Sequence, residues 1–333
     1  MSVSVVIPCY LSARTLPELV TRLVSVLSGM SGPHEVILVV DGSPDDTWET
    51  AADLARRVDG VRAINLSRNY GQHNALVAGI RDAEYELIVT MDDDLQHLPE
   101  QIPLLLAALA GDRLDLVYGV PHEEEHGVLR SLASRSVKTA MAGVLGVRAA
   151  RTISAFRAFR TRLREGFDGL SGPHASVDVA LSWATSRVGS VRVHMSERQQ
   201  GRSNYTARLL TRHAVNMLFG YSTTPLRMAS YLGFFVGIIG IMLAGTVLWR
   251  FTSGDTTVAG FTTIASTVAI FSAAQLISIG VLGEYVGRIH GSGMGRPTYV
   301  VSERVGARPV VETPTTAAQY QPTSAHINGI RTG

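Results

Sequence analysis

Cysteine is all but missing from this 333-residue sequence: Cys9 stands alone, which excludes an internal disulfide and any metal centre built from thiolates. It lies in an apolar run and reads as a buried structural thiol. Excess charge is also lacking. Lys and Arg number 30 against 28 Asp and Glu, and a net charge of +2 is too small to make nucleic acid the main partner. The slight basic excess suits an anionic membrane or phosphate-bearing substrates. No G-x-G-x-x-G or G-x-x-x-x-G-K-[ST] follows a strand-like segment, so dinucleotide-binding and P-loop readings lack their defining feature. Met1-Ser2-Val3-Ser4 leads straight into a strand-like run without a basic n-region. The expectation is therefore no signal peptide, with everything before residue 228 on the side of synthesis. Internal repeats are absent as well.

What the sequence does have is two long uncharged runs. One spans Met228–Trp249, closed by Arg227 and Arg250; the other spans Val258–Gly283, between Asp255 and Glu284. Each exceeds the roughly 20 residues that cross a hydrocarbon core of about 30 Å. Buried soluble helices of that length normally carry a polar stripe, whereas these carry scattered Ser, Thr and Gln275. Arg208, Arg212 and Arg227 precede the first run and Arg288 and Arg296 follow the second, while the loop 250–257 holds one Arg and one Asp. That asymmetry predicts a two-span hairpin with both ends cytoplasmic.

Strand-like and helix-like segments alternate through the first two-thirds, which predicts an α/β domain with a mainly parallel sheet. Strands are expected at Ser2–Ile7, Glu35–Val40, Val61–Leu66, Glu86–Met91 and Asp115–Tyr118. Helices are expected at Thr15–Leu27, Asp45–Val58 and Gln72–Asp82, with another opened by Pro99. Gly127–Gly146 and Tyr205–Tyr221 read as amphipathic basic helices, packed on the sheet or lying on a bilayer. Gly306–Gly333, rich in Pro, Thr and Ala without periodicity, reads as a disordered tail. The expected organisation is a catalytic domain 1–204, a juxtamembrane helix 205–227, spans 228–249 and 258–283, a post-membrane segment 284–305 and a tail 306–333.

Asp92-Asp93-Asp94 at a strand's carboxyl end is the sharpest local signal, because ligands of open α/β sheets collect there. If the segment stays extended, Asp92 and Asp94 face one site and Asp93 another. Two carboxylates beside a diphosphate make the oxygen shell that Mg²⁺ or Mn²⁺ takes. The competing reading is a solvated acidic turn.

Further motifs occur in order: Val5-Val6-Ile7-Pro8-Cys9-Tyr10, Val40-Asp41-Gly42-Ser43, Asn65 to His73, and Met91 to Glu100. Together they resemble the family 2 glycosyltransferases of GT-A fold. More narrowly the chain is similar to the polyprenyl-phosphate branch, which includes dolichyl-phosphate mannose synthases, bactoprenyl glucosyltransferases and undecaprenyl-phosphate aminoarabinose transferases. Asn69–His73 is most like the last group. Glu197 to Tyr205 matches the branch's R-x-x-G-x-S-x-Y pattern, and Pro225-Leu226-Arg227, Gly283 to Arg288 and Arg296-Pro297-x-Tyr299 also fit. The resemblance covers about residues 2–302.

It implies inverting transfer of a sugar from a nucleotide-sugar, a UDP-sugar, to an undecaprenyl-type polyprenyl phosphate at the cytoplasmic face of the inner membrane. By the same resemblance Pro8, Tyr10, Asp41, Asn69, Asp92 and Asp93 would bind the nucleotide-sugar. Asp92 and Asp94 would hold Mg²⁺ or Mn²⁺, and Gln96 would sit beside the sugar. Arg157, Arg198 and Arg202, with Ser203 and Tyr205, would receive the acceptor phosphate, and the chain would form a homo-oligomer, a tetramer. Three positions depart from the pattern: Leu11-Ser12 replace Asn-Glu, Val40 replaces an Asp, and Ala155 stands where mannose- and glucose-transferring members carry a proposed base. A phosphate monoester with a second pKa near 6 needs little base at pH 7, so the heavier demand is electrostatic. Two rivals remain: a silent membrane scaffold of the same fold, motivated by Val40 and Ala155, and a polysaccharide synthase. The second lacks support, because Gln199-Gln200-Gly201-Arg202-Ser203 has no Trp and two spans are too few for a polymer channel.

Overall fold

The computed structural model describes residues 1–111, 113–122, 153–167, 176–196, 224–254 and 260–309. Strands β1 (Val3–Cys9), β2 (His34–Val40) and β3 (Val61–Leu66) alternate with helices α1 (Leu16–Ser28), α2 (Thr47–Arg57) and α3 (Gln72–Asp82). Then come β4 (Leu87–Thr90), a 3₁₀ turn at Pro99–Gln101, α4 (Ile102–Gly111) and β5 (Leu116–Pro121). Every residue of β1 is buried, which is why the strand reads as a continuous apolar run: helices cover both faces of a parallel sheet. Helix α1 buries Leu16, Leu19, Val20, Leu23 and Leu27, a single stripe at helical spacing. Each such burial contributes roughly 1.5–3 kcal/mol. Cys9 is buried, as its apolar setting predicted.

Four further elements were not anticipated: β6 (Arg157–Arg160), helix α5 (Val177–Ala184), β7 (Val188–Val193) and β8 (Val301–Val305). The eight strands run in the order β7-β5-β6-β4-β1-β2-β3-β8. β1 pairs in parallel with both β2 and β4, β2 with β3 and β5 with β7, while β6 and β8 are antiparallel to their neighbours.

Helix α6 (Thr224–Thr252) encloses the first uncharged run and α7 (Phe261–Gly293) takes up the second from Phe261 onward, and both are long and apolar enough to cross a membrane. At about 1.5 Å per residue, 29 and 33 residues outreach a hydrocarbon core of about 30 Å. Their large apolar side chains point outward: Phe234 is 72 % exposed, Ile241 75 % and Trp249 75 %. Glu284 and Arg288 pair one turn apart, Nε donating to Oε1 at 2.9 Å.

After α7 the chain returns to the sheet. β8 lies antiparallel to β3, with Asn65 opposite Glu303 and Leu66 opposite Val301. Within the stretch 284–305, the last residues, Val301–Val305, add an antiparallel strand to the edge of the sheet. Of the expected tail, residues 306–309 are docked. Arg308 pairs with Asp82, which also receives Arg62 at 2.6 Å, and Arg62 donates in turn to Glu35 at 2.8 Å. The rest of the tail and all of Gly127–Gly146 and Tyr205–Tyr221 lie outside the described residues.

Candidate active site

The winding reverses between β1 and its two neighbours, β2 on one side and β4 on the other. Such a switch opens a crevice at the strands' carboxyl ends. β4 stops at Thr90, one residue earlier than expected, and the chain bends over Asp93–Leu95, where Leu95 takes φ 62°. Strand alternation therefore does not carry to Asp94. A hydrogen-bonded turn, not a pleat, aims these carboxylates.

Four bonds hold the turn. The Asp92 N–H donates to His97 Nδ1 at 3.0 Å, the Gln96 N–H to Asp94 Oδ1 at 3.2 Å and the Tyr10 N–H to Asp93 Oδ2 at 3.1 Å. Gln72, at the start of α3, donates from Nε2 to Asp92 Oδ1 at 2.7 Å. The Tyr10–Asp93 bond spans the crevice from β1 to β4. Burial is the main force pushing the Asp93 carboxyl up to about 6, reinforced by the Asp92 charge. His97 is 7 % exposed and stacks on Phe156 at 5.2 Å. Burial drives its pKa down to about 4, so the ring is neutral and free to accept at Nδ1.

Asp41, 3 % exposed, spends both oxygens on one loop: Oδ1 accepts from the Tyr70 N–H and Oδ2 from the Gly71 N–H, each at 2.7 Å. Burial raises its pKa, opposed by those two bonds. Gly42 has φ 55°, and a Cβ there would lie 2.2 Å from the Arg68 carbonyl carbon, so only glycine lets the β2 turn meet the loop. Pro8 is buried in β1 beyond its last pairing with β4, Val6 with Thr90, where no ladder needs its missing N–H. Tyr10 is 44 % exposed and Asn69 is exposed, both at the crevice rim. Gln96 is half-buried, and its carbonyl accepts from the Ser196 N–H at 3.0 Å.

Arg157, expected at the acceptor phosphate, is a buried side chain with partners inside the protein. It is 1 % exposed, its Nε donates to Thr90 Oγ1 at 2.9 Å, and its guanidinium pairs with Asp178 of α5. Tyr118 also donates to Asp178, at 3.2 Å. The arginine expected at the acceptor instead joins β6, β4 and α5 beneath the crevice. Arg198, Arg202, Ser203 and Tyr205 lie outside the described residues.

Three residues gain roles that sequence reasoning did not give them. Gln72 and His97 fell inside quoted motifs, and for His97 the spacing of five residues to Asp92 was the available signal. Asp178 carried none. A cavity of about 530 Å³ opens at the opposite edge of the sheet, lined by Glu86, Arg113, Asp115, Arg160, Arg162 and Arg187. It lies at the amino ends of β4, β5 and β7, away from the crevice, and Asp115 engages two of its arginines, accepting from Arg162 at 2.7 Å and Arg187 at 2.9 Å.

Comparison with known proteins agrees with this architecture. Residues 4–167 match the model of glycosyl transferase family 2. The undecaprenyl-phosphate 4-deoxy-4-formamido-L-arabinose transferase of Yersinia enterocolitica is 32 % identical over 308 residues, 92 % of this chain and 94 % of that protein. Its namesake from Pseudomonas fluorescens is 31 % identical over 318 residues, 94 % and 92 % of the two chains. Among solved structures, glucosyl-3-phosphoglycerate synthase from Mycobacterium tuberculosis aligns with a TM-score of 0.49 at 19 % identity, covering 66 % of this chain and 78 % of that one. The likeness to the two transferases runs through the crevice, both apolar helices and the returning strand, and on that ground the chain belongs to glycosyl transferase family 2, with the GT-A fold.

Proposed function

We propose that this glycosyltransferase moves a sugar, with inversion, from a UDP-sugar to an undecaprenyl-type polyprenyl phosphate at the cytoplasmic face of the inner membrane. The observation that carries the reading is the position of Asp92–Asp94 at the switch crevice of a chain that also presents two outward-facing apolar helices. The curated relatives act, by their names, on undecaprenyl phosphate.

The carboxylate turn fits a divalent cation. Its donors are hard oxygens, the carboxylates of Asp92 and Asp94 at the carboxyl end of β4. Mg²⁺ or Mn²⁺ bound there would neutralise the donor diphosphate and stabilise the departing nucleotide. Asp92 and Asp94 are the proposed ligands, with Gln96 beside the sugar. Pro8, Tyr10, Asp41 and Asn69 shape the nucleotide side, Asp41 by holding the loop that carries Asn69 rather than by touching the base. Two phosphate-bearing molecules must meet, and each unit-charge repulsion at about 4 Å costs roughly 4 kcal/mol at an effective dielectric near 20. Arg198 and Arg202 are the proposed counter-charges. The Ser196 N–H, two residues before Arg198 in the sequence, donates to the Gln96 carbonyl beside the carboxylate turn. Arg157 acts as a positioning residue. Ala155 fits an acceptor that is already largely ionised at pH 7 and attacks without a base.

The pairing of β8 with β3 supports the topology. A strand that completes the catalytic sheet lies on the catalytic side of any membrane, so the helices between cross an even number of times. The test is to incubate membranes with nucleotide-sugars and labelled polyprenyl phosphate and to identify the lipid product. Asp92→Ala and Asp94→Ala should abolish it. Normal turnover in both would refute the metal role, and absence of any lipid product from the wild type would favour the silent scaffold.

A further inference from the structure

The loop Ser67–Gln72 carries much of the proposed donor site, yet few of its own bonds are internal. Its backbone N–H groups at Tyr70 and Gly71 are held by Asp41, its Gln72 side chain reaches Asp92, and Gly42 braces it at Arg68 and Asn69. Its remaining support comes from about 230 residues further along the chain. The Ser67 N–H donates to the Val300 carbonyl at 2.9 Å, and Ser302 Oγ donates to the Asn65 carbonyl at 3.1 Å. Thr298 is 7 % exposed. Tyr299, Val301 and Tyr70 pack on one apolar cluster that includes Leu66, Ala75 and Leu76. Arg81 of α3 lies over the Tyr299 ring at 5.8 Å, and Tyr70 closes the arrangement with its hydroxyl 3.0 Å from Ser67 Oγ.

Thr298–Val301 is only five residues beyond the end of α7 at Gly293. The chain leaving the second apolar helix therefore runs directly beneath the loop that bonds Asp41 and Asp92. We propose that this strap, with Tyr299 as its positioning residue, sets donor affinity by fixing the Ser67–Gln72 loop without touching the donor. Seating of the helix hairpin and shape of the nucleotide pocket are then linked through four residues. The proposal rests on the donor-site reading above.

The physical basis is loop entropy. Fixing a residue's backbone costs conformational entropy, so a six-residue loop held on one side alone must be ordered by the donor itself. With the strap in place that cost is met during folding, and the donor meets a formed site.

The test uses the full chain in detergent and titrates UDP with Mn²⁺ by calorimetry for wild type, Tyr299→Ala, Tyr299→Phe and Asp92→Asn. Tyr299→Ala should weaken UDP about tenfold and raise donor KM similarly, leaving acceptor KM within twofold. Tyr299→Phe, which keeps the ring over the cluster, should bind within twofold of wild type. A merely structural role would lower the melting temperature and the active fraction with KM unchanged, and that result overturns the proposal. Should Tyr299→Ala not fold, hydrogen exchange on wild type decides: amides of 67–72 and 298–301 should gain protection together when UDP binds, and protection confined to 67–72 counts against the strap. If wild type binds no UDP, or Asp92→Asn binds as wild type does, the donor-site reading itself has failed. If Asp92→Asn loses UDP while Tyr299→Ala does not, only the strap has failed.

Discussion

Replacing Arg157 by Met separates two accounts of the same residue. The motif account makes its guanidinium a phosphate receptor. The structure buries it at 1 % exposure with Asp178, itself 7 % exposed, and Thr90 as partners. Removing one member of a buried pair leaves the other charged and desolvated, a loss of about 3–5 kcal/mol, whereas removing both charges with apolar groups of similar volume is close to neutral. Arg157→Met and Asp178→Leu should each lower the melting temperature by on the order of 10 °C, taking about 2–4 °C per kcal/mol for a domain of this size. The double variant should recover most of that, with a coupling energy of about 2 kcal/mol or more in a double-mutant cycle. Scanning fluorimetry in detergent measures all four proteins. The reasoning fails if Arg157→Met melts like wild type but raises acceptor KM selectively. That outcome would place the guanidinium on substrate and show that burial had been misread as engagement.

Gly42→Ala should cost donor affinity more than stability, because its methyl group meets the Arg68–Asn69 backbone at 2.2–2.6 Å and displaces the donor loop; unchanged donor KM would refute this. Gly79→Ala acts on the fold instead. Its Cβ would lie 2.3 Å from Val6 Cγ1 and 2.9 Å from Val39 Cγ2, so overpacking of α3 on the sheet should lower stability by about 1–3 kcal/mol, read by denaturant midpoint. Asp115 is held at about 2 by the Arg162, Thr185 and Arg187 bonds acting against burial. Its folded pKa is depressed, so its stabilisation is complete above about pH 4 and is lost as pH falls toward 2. Because Arg162 and Arg187 are more than half exposed, solvent screening limits this to about 1 kcal/mol. The gap in melting temperature between wild type and Asp115→Asn should therefore close over that window, and parallel pH curves would contradict the assignment.

Local physics made the first half of the fold legible. β3 and α3 occupy the residues their periodicity predicts, since each is a run of apolar spacing bounded by turn residues, and β4 differs by one residue at each end. β6 was hidden because Arg-Ala-Phe-Arg has no apolar alternation and draws its place from two flanking strands. β8 was hidden because Val301–Val305 has two exposed-edge charges, Glu303 and Arg304, and its partner β3 lies far back in the chain.

The sequence by itself determined the layered α/β core, the two apolar helices and the acidic turn at a strand end, because hydrophobic spacing, helix length and carboxylate clustering are local quantities. Only the tertiary structure decided that Arg157 is a core residue, that Asp41 grips a backbone loop and that the chain beyond the second helix returns to brace it. Those outcomes depend on which distant groups share a buried space. A charged side chain becomes a ligand or a strut according to the partner it finds there, and no spacing rule along the chain records that partner.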